Sequence, residues 1–360
     1  MISLPVKGYV IPAAVLSSSL RLRENNFDLL RFLFAFVVFL VHAHALSGMT
    51  ALVVFSKILS LEIAVKSFFV VSGFLIFMSY ECSKNTKSYY SKRVRRIYPA
   101  YIFVIFICAI FGYVFSVYNL SDYFSLNLLK YIGANLLFLN FLQPNLPGVF
   151  ESNLIQAVNG ALWTLKIEVM FYLFVPLAVW AFRKFGRLKV MVILYTLSVI
   201  YTFSMEMLAK KTGVGFYLEL QRQLPGQIAF FVAGAAGYYS QQYLKKHALW
   251  LVPLAIGMFA LQSWLPWVAV QPIALSVLVV CFACIIPSLG NFSKYGDFSY
   301  GIYIVHFPIL QLMISNAYFK EEPWMLLLVS SALVMAAAFL LWHFIEKPFL
   351  RKSSQYVAAA

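Results

Sequence analysis

Apolar runs of roughly 18 or more residues recur along almost the whole chain, separated by short polar stretches. The pattern predicts helices near 28–47, 62–81, 98–117, 161–182, 188–206, 225–243, 248–265, 270–288, 297–316 and 324–345. Such a chain is an all-α integral membrane protein, a bundle of about ten transmembrane helices. One further stretch, "LLKYIGANLLFLNFL" at 128–142, is short for a span. It reads as a re-entrant or interfacial segment, followed by the loop "QPNLPGVFESNLIQAVNG", which has no lysine or arginine. No internal repeat or inverted duplication of the hydropathy pattern is visible.

Composition agrees: 62% of the 360 residues are hydrophobic and only 11% charged, where soluble chains carry about a quarter. No soluble domain of ordinary size fits in the gaps, so residues 1–360 read as one transmembrane domain. The net charge of +15 suggests no nucleic acid, because the basic residues sit in short segments beside apolar runs. With the N- and C-termini placed in the cytoplasm, inner segments such as "KNTKSYYSKRVRR", "RKFGRLK" and "EKPFLRK", with Arg21, Arg23 and Lys294, hold most of them. They outnumber the outer set, Lys57, Lys130, Lys210, Lys211, Arg222 and Lys320, by about three to one. A crossing at 128–142 would invert every later loop. Residues 1–26 do not read as a cleavable signal, and the run from Leu29 reads as a retained first helix. Cys82, Cys108, Cys281 and Cys284 are scattered and read as packing residues; no metal site is expected.

Polar residues inside the spans are the candidates for chemistry, since each is costly in hydrocarbon. In "NNFDLLRFLFAFVVFLVHAH", 25–44, Arg31 and His42 are eleven residues apart and share one helix stripe. Asp28 lies one turn before Arg31 and can pair with it. A neutral imidazole suits a general base for a hydroxyl group, which singles out His42; His44 points elsewhere, nearer the outer surface. Ser72 and Gly73 are small residues that permit close helix approach. Lys92, Arg93, Arg95 and Arg96 crowd before Tyr98 and Pro99, a cluster suited to anionic lipid or to a polyanionic ligand. No phosphate loop is present to hold a nucleotide by its backbone. Glu168 sits inside a span that begins near Trp163, with Arg31 or a histidine its expected partner. Ser299, Tyr303 and His306 fall on one face of "GDFSYGIYIVHFPIL"; Glu346 and Lys347 end the last span.

The order of "NFDLLRFLFAFVVFLVHA", "FFVVSGFLI", "KRVRRIYPAY", "LWTLKIEVMFYLFVPL", "FSYGIYIVHFPIL" and "FIEKPF" resembles the acyltransferase family 3 membrane proteins, from about residue 26 to 350. The resemblance implies a bundle of about ten helices in the bacterial cytoplasmic (inner) membrane. It also implies transfer of an acyl group, with acetyl the first choice, from cytoplasmic acyl-CoA (acetyl-CoA) to a hydroxyl of a cell-surface glycan or lipid-linked oligosaccharide. The family's first-helix Arg and His fall on Arg31 and His42, its basic loop on Arg93, Arg95 and Arg96, and its Trp and Glu on Trp163 and Glu168. Its Ser-Tyr-Tyr-His stretch falls on Ser299, Tyr300, Tyr303 and His306. Lys166 departs from the family's W-S-L-S-V-E pattern. On this reading His42, Glu168 and Arg31 form the catalytic group, and Arg31 and the basic cluster bind CoA. Asp28, Ser72, Trp163, Ser299, Tyr303 and His306 support them. The chain ends soon after the last span, as expected of a stand-alone transferase without a fused hydrolase-like domain. The alternatives are a transporter or flippase, which predicts no CoA release, and a glycan polymerase, which favours a long charged outer loop.

Overall fold

The computed structural model describes residues 25–290, 296–315, 319 and 321–350. Arg21, Arg23, Lys294, Lys320 and the basic residues after Leu350, all counted in the charge pattern, lie outside them. The principal helices are α1 (Phe27–Ser47), α2 (Leu61–Glu81), α3 (Thr86–Phe111), α4 (Leu126–Leu136), α5 (Trp163–Phe185), α6 (Arg187–Thr212), α7 (Leu224–Tyr239), α8 (Gln241–Ala260), α9 (Trp267–Cys284), α10 (Ser299–Ser315) and α11 (Pro323–Leu340). A π-helical turn, Leu341–Glu346, continues α11. The described residues contain no strand, only an isolated bridge between Ser116 and Val149.

A helix occupies each of the ten positions read from hydropathy, and seven of these are long and apolar enough to cross a membrane. α10 is shorter, at 17 residues, and α8 carries Lys245, Lys246 and His247 in its first turns. α6 fully buries only Met191 and Ser198, and leaves Leu188, Val192, Ile193, Leu197, Ile200 and Phe203 exposed, where lipid is the natural solvent. The 128–142 stretch forms α4, whose 11 residues rise only about 16 Å, half a bilayer core. It is pinned sideways: the Tyr101 hydroxyl donates to the Asn135 carbonyl at 2.7 Å, and the Asn135 amide donates to the Gln143 carbonyl at 3.2 Å.

The basic cluster lies on a helix rather than in a loop, because α3 starts a dozen residues before its predicted position. The Asn85 side chain caps it, accepting from the Ser88 amide at 2.8 Å, and the Lys/Arg run that follows is helix-compatible. Asn26 fastens the start of α1 to the end of α9. Its side chain donates to the Ile286 and Pro287 carbonyls at 3.1 and 3.2 Å and accepts from the Leu289 amide at 2.8 Å.

Two features of sequence set the helix contacts. Gly73 on α2 and Gly234 on α7 face each other's backbones: a Cβ at Gly73 would overlap the Phe231 carbonyl, and one at Gly234 the Val70 carbonyl. Without side chains there, the two helices pack at backbone distance, and Phe171 of α5 stacks on Phe231 at 3.9 Å beside them. Proline supplies the second feature. Pro176 in α5 has no N–H for the Tyr172 carbonyl, and the buried Tyr89 hydroxyl of α3 takes that place at 3.1 Å.

Gly73→Val and Gly234→Val should each cost at least about 1–3 kcal/mol through forced separation of α2 and α7, read as a lower unfolding midpoint in detergent. An unchanged midpoint in both would refute the close crossing.

Candidate active site

α1 and α10 run parallel, and both ends of the Arg31–His42 stripe meet the α10 segment. At the far end of the stripe His42 Nδ1 lies 2.8 Å from His306 Nε2, the rings nearly parallel at an interplanar angle of 10°. His306 is fully buried, and its Nδ1 lies 3.2 Å from the Ile302 carbonyl. A carbonyl only accepts, so His306 Nδ1 carries the hydrogen and its Nε2 is the acceptor. His42 therefore donates from Nδ1, and its own Nε2 holds a lone pair. That atom has no hydrogen-bond partner among the described residues, and His42 is only half-buried. An oriented imidazole with a free basic nitrogen is the arrangement a general base requires. The Phe307 ring stands edge-on to His42 at 5.4 Å and closes one side.

At the near end Arg31 pairs with Asp297 just ahead of α10, and with Asp28 at 3.9 Å. The same Asp297 oxygen accepts from Arg96 of α3, whose other nitrogen donates to Glu346 at 2.8 Å. Arg96 also lies over the Tyr300 and Trp342 rings at 5.6 and 5.9 Å. Asp297 is buried, and its second oxygen accepts from Ser299, through both hydroxyl and amide. Burial alone would push the Asp297 carboxyl up; the Arg31 and Arg96 guanidiniums and the Ser299 hydroxyl outweigh it and hold the carboxyl below the usual carboxylate range. Gly296, at φ +130°, is required beside it, because a Cβ there would overlap the Trp342 indole.

The remaining candidates have other partners, or none among the described residues. Glu168 is half-buried and accepts from the Tyr172 hydroxyl at 2.6 Å, rather than from Arg31 or a histidine. Arg93 lies over the Tyr172 ring at 5.6 Å and donates to the Ser79 hydroxyl at 2.9 Å, while its buried Nε has no partner among the described residues. Arg95 is exposed. Tyr303 shares a hydrogen bond with the Thr164 hydroxyl at 2.6 Å, and its ring stands against His306 at 5.8 Å. Trp163, half-buried, opens α5, and Lys166 donates to Gln223 at 2.6 Å. Ser72 is half-buried and makes no hydrogen bond among the described residues, and His44 turns away to the Ser56 hydroxyl at 2.7 Å.

The structure thus joins His42 to His306, and Arg31 and Asp28 to Ser299 through Asp297. It sets Arg96 apart from Arg93 and Arg95, since two carboxylates already occupy its donors. Asp297 and Thr164 were missed from the sequence. Asp297 carried one signal, an acidic residue two positions ahead of an apolar helix.

Polar groups gathered in this way inside an apolar helical bundle are costly, and mark the candidate functional site of a membrane protein. Residues 24–343 match the model of the acyltransferase domain, and the chain belongs to that family, acyltransferase family 3; it is an acyltransferase. It is similar to an O-acetyl transferase of Shigella phage Sf6, 28% identical over 92% of this chain and 98% of the relative. It is also similar to nodulation protein 10 of Rhizobium leguminosarum bv. viciae, 25% identical over 93% of this chain and 95% of the relative. No solved structure matches the chain.

Asp297→Ala should leave two buried guanidiniums short of an anion, at a cost of about 3–5 kcal/mol, measured as a lower unfolding midpoint in detergent. A variant as stable as the parent would show that Asp297 does not hold α1 and α3 to the foot of α10.

Proposed function

We propose that the protein is a transmembrane O-acyltransferase that moves an acetyl group from cytoplasmic acetyl-CoA to a hydroxyl of a cell-surface or lipid-linked glycan. The observation that carries this reading is the His42–His306 pair, which leaves His42 Nε2 with a lone pair and no hydrogen-bond partner among the described residues. The names of the phage O-acetyl transferase and of the nodulation protein, each aligned over nearly their whole length, support it.

In this reading ten helices cross the cytoplasmic membrane with both termini inside. Arg93 and Arg95 meet the CoA phosphates at the inner surface; the unpartnered Nε of Arg93 and the exposed guanidinium of Arg95 suit anionic oxygens. Arg31 and Arg96, tied to Asp297, form the floor of the entrance. The pantetheine arm rises past Tyr172 and Glu168 and brings the thioester to His42. His42 Nε2 takes the proton of the acceptor hydroxyl as its oxygen attacks the thioester carbonyl. The new C–O bond forms, the C–S bond breaks, and the proton passes from His42 to the departing sulfur, giving the O-acetyl ester and free CoA. Ser72, whose hydroxyl makes no hydrogen bond among the described residues, is the candidate donor to the oxyanion, and Glu168 balances charge along the path.

Purified protein in detergent, given acetyl-CoA with and without bacterial lipopolysaccharide, should release free thiol and label the glycan. His42→Ala should lower the rate at least about 100-fold, within the range typical of a lost general base, while the protein stays folded. Retained turnover in that variant would remove His42 from the mechanism. Absence of thiol release with any acceptor would favour transport without chemistry.

A further inference from the structure

Pro308 sits two residues after His306 on α10 and has no N–H. The carbonyl of Ile304, four residues earlier, therefore lacks its helical hydrogen bond in the turn that carries His306. An unpaired carbonyl in an apolar interior is costly. The outer loop fills the vacancy: the buried Asn159 side-chain amide donates to the Ile304 carbonyl at 2.8 Å. The other end of the same side chain, Oδ1, accepts from the Ala161 amide at 3.3 Å and so caps the turn that leads into α5.

The neighbouring positions of α10 are tied to the same segment. Tyr303 is held by Thr164 at 2.6 Å and donates to the Ala161 carbonyl at 3.3 Å. The Phe307 ring packs so closely on Gly160 that a Cβ there would lie 2.8 Å from it, and that ring is the one edge-on to His42. Residues 303, 304 and 307 thus surround His306 in the helix, and each is anchored by residues 159–164.

We infer that Asn159 is a positioning residue for the reaction: by pairing with the carbonyl that Pro308 releases, it holds the His306 turn where His306 Nε2 meets His42 Nδ1. It touches neither substrate. Its loss lets the 304–308 turn relax, His306 moves off His42, and the base loses its fixed tautomer. The inference rests on the acetyl-transfer reading for its kinetic consequence, while the pairing itself is testable without turnover.

The test is a double-mutant cycle in the full-length protein, because Pro308→Ala restores an N–H to the Ile304 carbonyl. Asn159→Leu should lower kcat for thiol release from acetyl-CoA by about tenfold or more with the donor KM within about twofold, since the CoA entrance is at the opposite end. In the Pro308→Ala background the same substitution should cost only about twofold, a rescue that general destabilisation does not give. Equal losses in both backgrounds, or a raised donor KM at unchanged kcat, would overturn the inference. If the parent protein releases no thiol, the acetyl-CoA reading fails and the cycle is read in unfolding midpoints. A midpoint loss on Asn159→Leu that shrinks in the Pro308→Ala background supports the pairing, and equal losses overturn it.

Discussion

One buried carboxylate, Asp297, ties three helices together at one end of the bundle. Two guanidiniums from different helices converge on a single oxygen of it, and Ser299 occupies the other. Each charge alone would be untenable in an apolar interior; paired, they bind α1, α3 and α10 together and, through Glu346, reach the end of α11. The orientation of Arg31 follows from this pairing. So does the register of α1 against α10, and hence the meeting of His42 with His306 farther along the same two helices.

Away from Asp297 the bundle is held by neutral groups instead. Prolines open backbone carbonyls in α5 and α10, and Tyr89 and Asn159 close them from elsewhere in the chain. Small residues at Gly73 and Gly234 bring α2 and α7 to backbone contact behind the site. Charge pairing anchors the Asp297 end of α10, while amide and hydroxyl bonds hold the turn that carries His306. A bundle built this way keeps an oriented imidazole in an apolar setting and closes the carbonyls that its prolines open.

Much of this was legible in the chain. Long apolar runs marked a helix at each of ten positions, and the eleven-residue interval placed Arg31 and His42 on one stripe because helix geometry is local and periodic. The run at 128–142 reads as re-entrant or interfacial, and residues 128–136 of it lie in the 11-residue α4. Misread were the helix boundaries around the basic cluster, where Asn85 starts α3 earlier than hydropathy suggests, since hydropathy weighs lipid exposure and not capping. The expected partner of Glu168 was also misread: a residue on its own helix, Tyr172, takes the bond.

The sequence by itself determined which segments are helical, which polar residues are costly enough to matter, and where prolines must leave a carbonyl open. These follow from local periodicity and from atoms that a residue has or lacks. Only the tertiary structure decided who answers them. That Asp297 takes both arginines, that His306 sets the tautomer of His42, and that Asn159 meets the Ile304 carbonyl join residues 145 or more apart in the chain. Such pairings depend on helix order and rotation in the bundle, which no local pattern encodes.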